Sequence, residues 1–146
     1  MVNVFAGIAA FLLLAGFIGY MNFTSIQLHL ASANAGFAAS MPGYKPTGYA
    51  LQGGVKAADN QVSLHFTSGD RNYTITEQAS DWNSQTLLEN HVALSSNDHE
   101  TIISKGRTVY IYNGNNAVWV NGGVLYNLTG NAGLTADDIS SLASSM

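Results

Sequence analysis

An α+β fold, with an apolar membrane-spanning helix ahead of one domain built on a mainly antiparallel sheet, is predicted by three observations. The first is an uncharged, proline-free run from Val4 to Tyr20, VFAGIAAFLLLAGFIGY. The second is a series of short segments in which apolar and polar residues alternate, separated by glycine and asparagine. The third is that helical spacing interrupts this series instead of alternating with it strand by strand. The expectation is a transmembrane anchor over residues 1–23 and a domain over residues 24–146, with about six to seven strands and two or three packed helices.

Size and charge bound what such a domain can be. The chain has 146 residues, and roughly 120 remain after the anchor, enough to close one hydrophobic core. The formal net charge is −4 with only five Lys and Arg. That leaves no basic stripe to neutralise phosphates, so nucleic acid is not expected as a partner. Cysteine is absent, which excludes disulfides, thiolate metal sites and cysteine nucleophiles.

The N-terminal run has about the length that a bilayer-spanning helix needs. Tyr20 and Phe23 sit where aromatic side chains favour the membrane interface. No polar stripe runs along it, which disfavours a buried helix of a soluble protein. A cleavable signal would place its small-residue site near Ala31-Ser32-Ala33, well beyond the apolar core and without a basic leader, so the anchor is expected to be retained. The nearest basic residue is Lys45, and the expectation is a start that has lost a cytosolic basic segment.

Beyond the anchor, Ile26, Leu28 and Leu30 alternate with Gln27 and His29, which predicts a strand. Asn34 to Ser40 predicts a short helix, stopped by Pro42 and Gly43. Pro42 to Tyr49 concentrates proline, glycine and tyrosine, a composition for a rigid turn whose tyrosines cap the core. Gln52-Gly53-Gly54 lacks the lysine and following helix of a phosphate loop and reads as a hairpin turn. Val62, Leu64 and Phe66, then Tyr73, Ile75 and Glu77, mark two strands joined at Ser68 to Asn72.

Between Ser84 and Val92 the spacing of Leu87, Leu88, His91 and Val92 turns helical. Four strands follow, around Thr101–Ile103, Thr108–Tyr112, Ala117–Val120 and Val124–Leu128, with glycine or asparagine in each gap. Thr135-Ala136-Asp137-Asp138 forms a capping box, and Ile139, Leu142 and Ala143 share one face of the helix it opens.

Several of these segments, taken in order, resemble a known family. Ala35-Gly36-Phe37, Met41 to Tyr49, Trp82-Asn83-Ser84 with Leu87-Leu88, Val118-Trp119, Tyr126 to Asn131 and the closing helix are similar to the bacterial DUF4367 family. The resemblance covers roughly residues 26–146. It implies a domain facing the periplasm or cell surface behind a transmembrane helix. It also implies lipoprotein-carrier-like half-barrel relatives and, in some members, anti-sigma-factor-like cytosolic modules. It carries over no catalytic residue.

The residues themselves offer little chemistry. No two of the four histidines stand three or four apart as a zinc site would require, and His99 beside Asp98 and Glu100 reads as the polar start of a strand. Neither G-x-S-x-G nor S-x-x-K occurs. Asp137 and Asp138 serve a helix start. Catalytic residues, metal ligands and cofactors are therefore not expected, and the chain is read as non-enzymatic.

The aromatic residues of the meander remain. On a strand, Tyr110 and Tyr112 share one face, while Trp119 points away from Val118 and Val120. This suggests an aromatic and an aliphatic sheet face. Either both faces are covered, with Trp119 beneath the helix from Ser84 to Val92, or Tyr110, Tyr112, Trp119 and Tyr126 line a concave surface for an apolar or extended peptide ligand. The expected function is a single-pass, membrane-anchored binding or sensing domain outside the cytoplasm. The alternative is a structural or assembly protein of the cell envelope acting on another envelope protein.

Overall fold

The computed structural model describes residues 2–146; Met1, where the expected anchor begins, lies outside the described residues. The chain forms a seven-stranded antiparallel sheet in the order β1-β2-β3-β7-β6-β5-β4. Its strands are β1 (Ala50–Ala58), β2 (Gln61–Ser68), β3 (Arg71–Ala79), β4 (His99–Ser104), β5 (Arg107–Tyr112), β6 (Asn116–Asn121) and β7 (Val124–Gly130). Helices precede, interrupt and follow them, so the class is α+β, and β2 to β7 lie where alternation and turn residues predict them.

The N-terminal helix, Val2–Met21, is apolar and carries no charge in its first or last turn. Among the described residues no single helix is long and apolar enough to cross a membrane. Gly7–Tyr20 and Phe23–Ala35 meet that requirement only as a pair, bent by 56°. The bend falls at Asn22, whose side-chain amide donates to the Ile18 carbonyl at 2.9 Å.

Phe23–Ala35 is a helix, which overturns the strand expected at Ile26 to Leu30. Ile-Gln-Leu-His-Leu fits period two, but in a helix Ala31 and Ala35 meet on one face. These small residues are buried with Val62, beside Val55, Phe37 and Ala39. The close approach they allow on the end of the sheet decides between the two patterns. The helix expected over Asn34 to Ser40 is also corrected. Gly36 ends the preceding helix in the left-handed region at φ 78°, its N–H bonding to Ser32 O.

β1 was not legible in the sequence, and the hairpin turn expected at Gln52-Gly53-Gly54 lies inside it. Its register on β2 slips between Leu51 and Val55. There the Gln27 side chain reaches in to accept from Val55 N at 3.2 Å. Gly54 has φ +71°, and a Cβ on it would lie 2.5 Å from Gln27 Oε1. Glycine is thus required for this bulge.

Both faces of the β3–β7–β6–β5 part of the sheet are covered. On one face Tyr73, Ile75, Val109, Trp119, Tyr126 and Leu128, with Phe66 of the adjoining β2, meet Ile139, Leu142 and Ala143 of the C-terminal helix, Ala136–Ser145. Thr135 caps that helix as expected, in a reciprocal box with Asp138. On the other face Tyr110, Tyr112, Val118 and Leu125 meet Leu87 and Val92. These two belong to a helical stretch over residues 84–95 that widens into a π-turn at Leu88–Val92. Asn83 caps it, its side chain accepting from Thr86 N.

Candidate functional site

The aromatic residues expected to share a surface do not. Tyr110 and Tyr112 lie under the helix of residues 84–95, whereas Trp119 and Tyr126 lie in the opposite cluster with the C-terminal helix. All four are buried. The expectation of one aromatic and one aliphatic face fails because β5 and β6 are out of phase: Tyr110 faces Val118, and Trp119 faces Tyr126. Trp119 is buried, but not by the helix from Ser84 to Val92 as expected.

A different row of residues concentrates unusual chemistry. Reading the register across β2, β3, β7 and β6, Val62, Glu77, Tyr126 and Trp119 stand side by side. Trp119 and Tyr126 stack with ring centroids 5.2 Å apart and planes 7° from parallel. Beside them Glu77 is 0 % exposed. A carboxyl at an inward position of a core strand is rare, because burial penalises its ionised form.

Over this row runs an irregular strap, residues 36–49, joining the helix Phe23–Ala35 to β1. Ala39 N donates to Ser32 Oγ at 3.0 Å, and Ser40 N donates to Glu77 Oε2 at 2.9 Å. Gly43 N meets Ser145 O at 3.4 Å. Tyr44 OH donates to Asp138 Oδ1 at 2.8 Å, and the Tyr49 and Tyr73 rings lie 5.2 Å apart. The strap's tyrosines do cap the core, partly buried against it with Phe37 and Met41.

The polar atoms beneath the strap are poorly satisfied. Glu77 Oε1, Ser40 Oγ, Trp119 Nε1 and Tyr73 OH are buried and have no hydrogen-bond partner among the described residues. Such atoms are uncommon in folded proteins and each costs about 1–3 kcal/mol. Burial pushes the Glu77 carboxyl up to about 7, against the downward pull of the Ser40 amide. Burial also raises the Tyr126 phenol, with Glu77 adding to the shift and Arg107 opposing it. At Asp138 burial raises the pKa, but hydrogen bonds from Tyr44 and Thr135 outweigh it and leave the group below its ordinary value.

The arrangement can therefore hold or release one proton near neutrality at Glu77, and that proton is coupled to the strap. Ionisation strengthens the Ser40 contact but leaves a buried charge, and the upward shift says that burial wins. Sequence reasoning passed over Glu77 although the signal was present: it is the third inward residue of Tyr73-Thr74-Ile75-Thr76-Glu77. Among the described residues no group of three or more His, Cys, Asp or Glu could hold a metal ion.

Comparison with known proteins adds one match. The sequence model described as "Domain of unknown function (DUF4367)" matches residues 40–146, from the strap residue Ser40 to the end of the C-terminal helix. Neither curated proteins nor solved structures give a match.

Proposed function

We propose that this chain, which belongs to the DUF4367 family, is a membrane-anchored, non-catalytic sensing or binding domain outside the cytoplasm. The observation that carries the reading is the Ser40–Glu77 contact. The strap leaves the helix nearest the anchor and lies directly on a buried carboxyl whose second oxygen has no partner among the described residues. A ligand or proton that changes the state of Glu77 changes the strap, and the strap is continuous with the anchor.

The anchor half rests on the N-terminal helix. Phe11, Leu12, Leu13, Leu14, Phe17 and Ile18 are exposed on all its sides, uncovered by the rest of the described chain. An apolar surface of that extent favours lipid over water. The position outside the cytoplasm follows from the resemblance alone, and protease added to intact spheroplasts should remove the domain.

The sensing half is tested on the full chain in lipid nanodiscs by hydrogen exchange at residues 36–49. Panels of lipids, glycans and envelope peptides are added in turn. A ligand that raises thermal stability should change exchange at Ser40 more than in β5 and β6. A panel that leaves both stability and strap exchange unmoved rejects the binding role.

A second reading, assembly with another envelope protein, is favoured by Leu94 and Ile103, large apolar side chains exposed outside the anchor region. Ile103 lies on the edge strand β4. Crosslinking in membranes through Ile103→Cys to one recurrent protein would favour it.

A further inference from the structure

We infer that the helix Phe23–Ala35 is seated in the lipid headgroup region, with Phe23, Ile26 and Leu30 as its membrane-facing stripe. The inference rests on the anchor reading and adds to it a fixed orientation of the domain against the bilayer. Phe23, Ile26 and Leu30 stand at i, i+3 and i+7 on one helix face and are 58 %, 48 % and 62 % exposed. The face around Ala31 and Ala35 is committed to the domain, both residues being buried, and Gln27, between that face and the stripe, is held by Val55 N in the β1 bulge. The helix is thus fixed on the sheet, and its apolar stripe is left exposed.

Two features identify lipid as what covers the stripe. The first is continuity: the stripe begins just beyond Asn22, where the chain leaves a helix on which Phe11, Leu12, Leu13, Leu14, Phe17 and Ile18 are exposed. The second is charge. From Met1 to Tyr44 the chain has no Lys, Arg, Asp or Glu. A surface helix facing water ordinarily carries charges opposite its buried face. This one carries a single ionisable residue, His29, and four large apolar ones, three of them exposed.

The 56° bend at Asn22 suits a chain that leaves a spanning segment and turns along the interface. A groove of about 280 Å³ between this helix and β1, lined by Gln27, Leu30, Ala31, Asn34, Val55 and Ala57, opens beside the stripe. It offers the interface a recess of mixed polarity next to Leu30. Without charged residues on the helix, the seat should depend on apolar contact and not on anionic lipid.

The chain contains no cysteine, so single cysteines can be placed and labelled with an environment-sensitive fluorophore in full-length protein in nanodiscs. Labels at Phe23→Cys, Ile26→Cys and Leu30→Cys should show blue-shifted emission and be quenched by bromine-bearing phosphatidylcholine. A label at Ser25→Cys, on another side of the helix, should not. The contrast should be the same with and without phosphatidylglycerol and should persist in high salt. Leu13→Cys reports the anchor. If Leu13 is quenched and residues 23, 26 and 30 are not, the seat is overturned and the anchor stands. If Leu13 is not quenched, the anchor reading fails and takes the seat with it. Disulfide formation between copies at Ile26→Cys, without lipid quenching, would assign the stripe to a second copy of the chain and overturn the proposal.

Discussion

The two faces of the sheet bury comparable aromatic residues in opposite ways. Under the helix of residues 84–95, Tyr110 OH donates to Ser84 O at 3.0 Å, and Tyr112 OH is 2.9 Å from His91 Nε2. Each phenol has a partner supplied by that helix, and Asn127 Oδ1, opposite Val118, is the unpaired atom on this side. Under the strap, Glu77, Trp119, Tyr73 and Ser40 each keep a polar atom with no partner among the described residues. The helical stretch supplies partners to the phenols it covers, whereas the strap leaves polar atoms in its row without a partner among the described residues. Folded proteins retain unpaired buried groups chiefly where something other than stability is served. The strap face, not the aromatic meander as a whole, is therefore the side on which function is sought.

The largest expected effect tests whether the strap face is packed despite its unpaired atoms. Trp119→Ala removes a fully buried ring stacked on Tyr126 and should cost about 3–5 kcal/mol in denaturant melts. A loss below about 1 kcal/mol would mean that the strap side is loosely filled and that the contrast between faces is one of packing.

Glu77→Gln comes next and isolates the carboxyl. Its folded pKa is raised from 4.5 to about 7. Between those values the folded state holds a proton that the unfolded state has lost, so wild-type stability falls as pH rises through that window and levels off above it. The shift corresponds to roughly 3 kcal/mol. Glu77→Gln should match wild type near pH 4 and exceed it above pH 7, with a flatter profile between. Equal profiles would place the ionised group in contact with water and end the argument for a coupled strap.

The smallest effects make the sharpest comparison, because they remove the same atom from each face. Tyr112→Phe breaks a made hydrogen bond and should cost about 1 kcal/mol. Tyr73→Phe removes a hydroxyl with no partner and should lie within about 0.5 kcal/mol of wild type, or stabilise. If both substitutions cost alike in thermal melts, the two faces are equally satisfied and the contrast disappears.

How much of this was readable in advance depended on whether a segment's pattern had a single solution. The hairpin of β2 and β3 did, because Val62-Leu64-Phe66 and Tyr73-Ile75 alternate strictly and Ser68 to Asn72 supplies a turn. The C-terminal helix did too, since Thr135 and Asp138 announce its start. Ile26 to Leu30 had two solutions, and the alanines that chose between them lie outside the window in which the alternation is read. The ligand surface expected at Tyr110, Tyr112, Trp119 and Tyr126 rested on each strand's own alternation without the phase between strands.

By itself the sequence determined the α+β class, β2 to β7, both capped helices and the uncharged N-terminal run, because periodicity, turn glycines and capping residues act over a few neighbours. Tertiary structure alone decided the rest. β1, with two glycines and three alanines, has little intrinsic strand preference and pairs because β2 offers an edge and Gln27 occupies its bulge. The division of the aromatic residues was set by interstrand register, in which one step moves a side chain to the other face. Glu77 became a candidate site only when Ser40, 37 positions away in the chain, closed over it. Its altered proton affinity comes from the solvent excluded by residues distant in sequence, which no local pattern encodes.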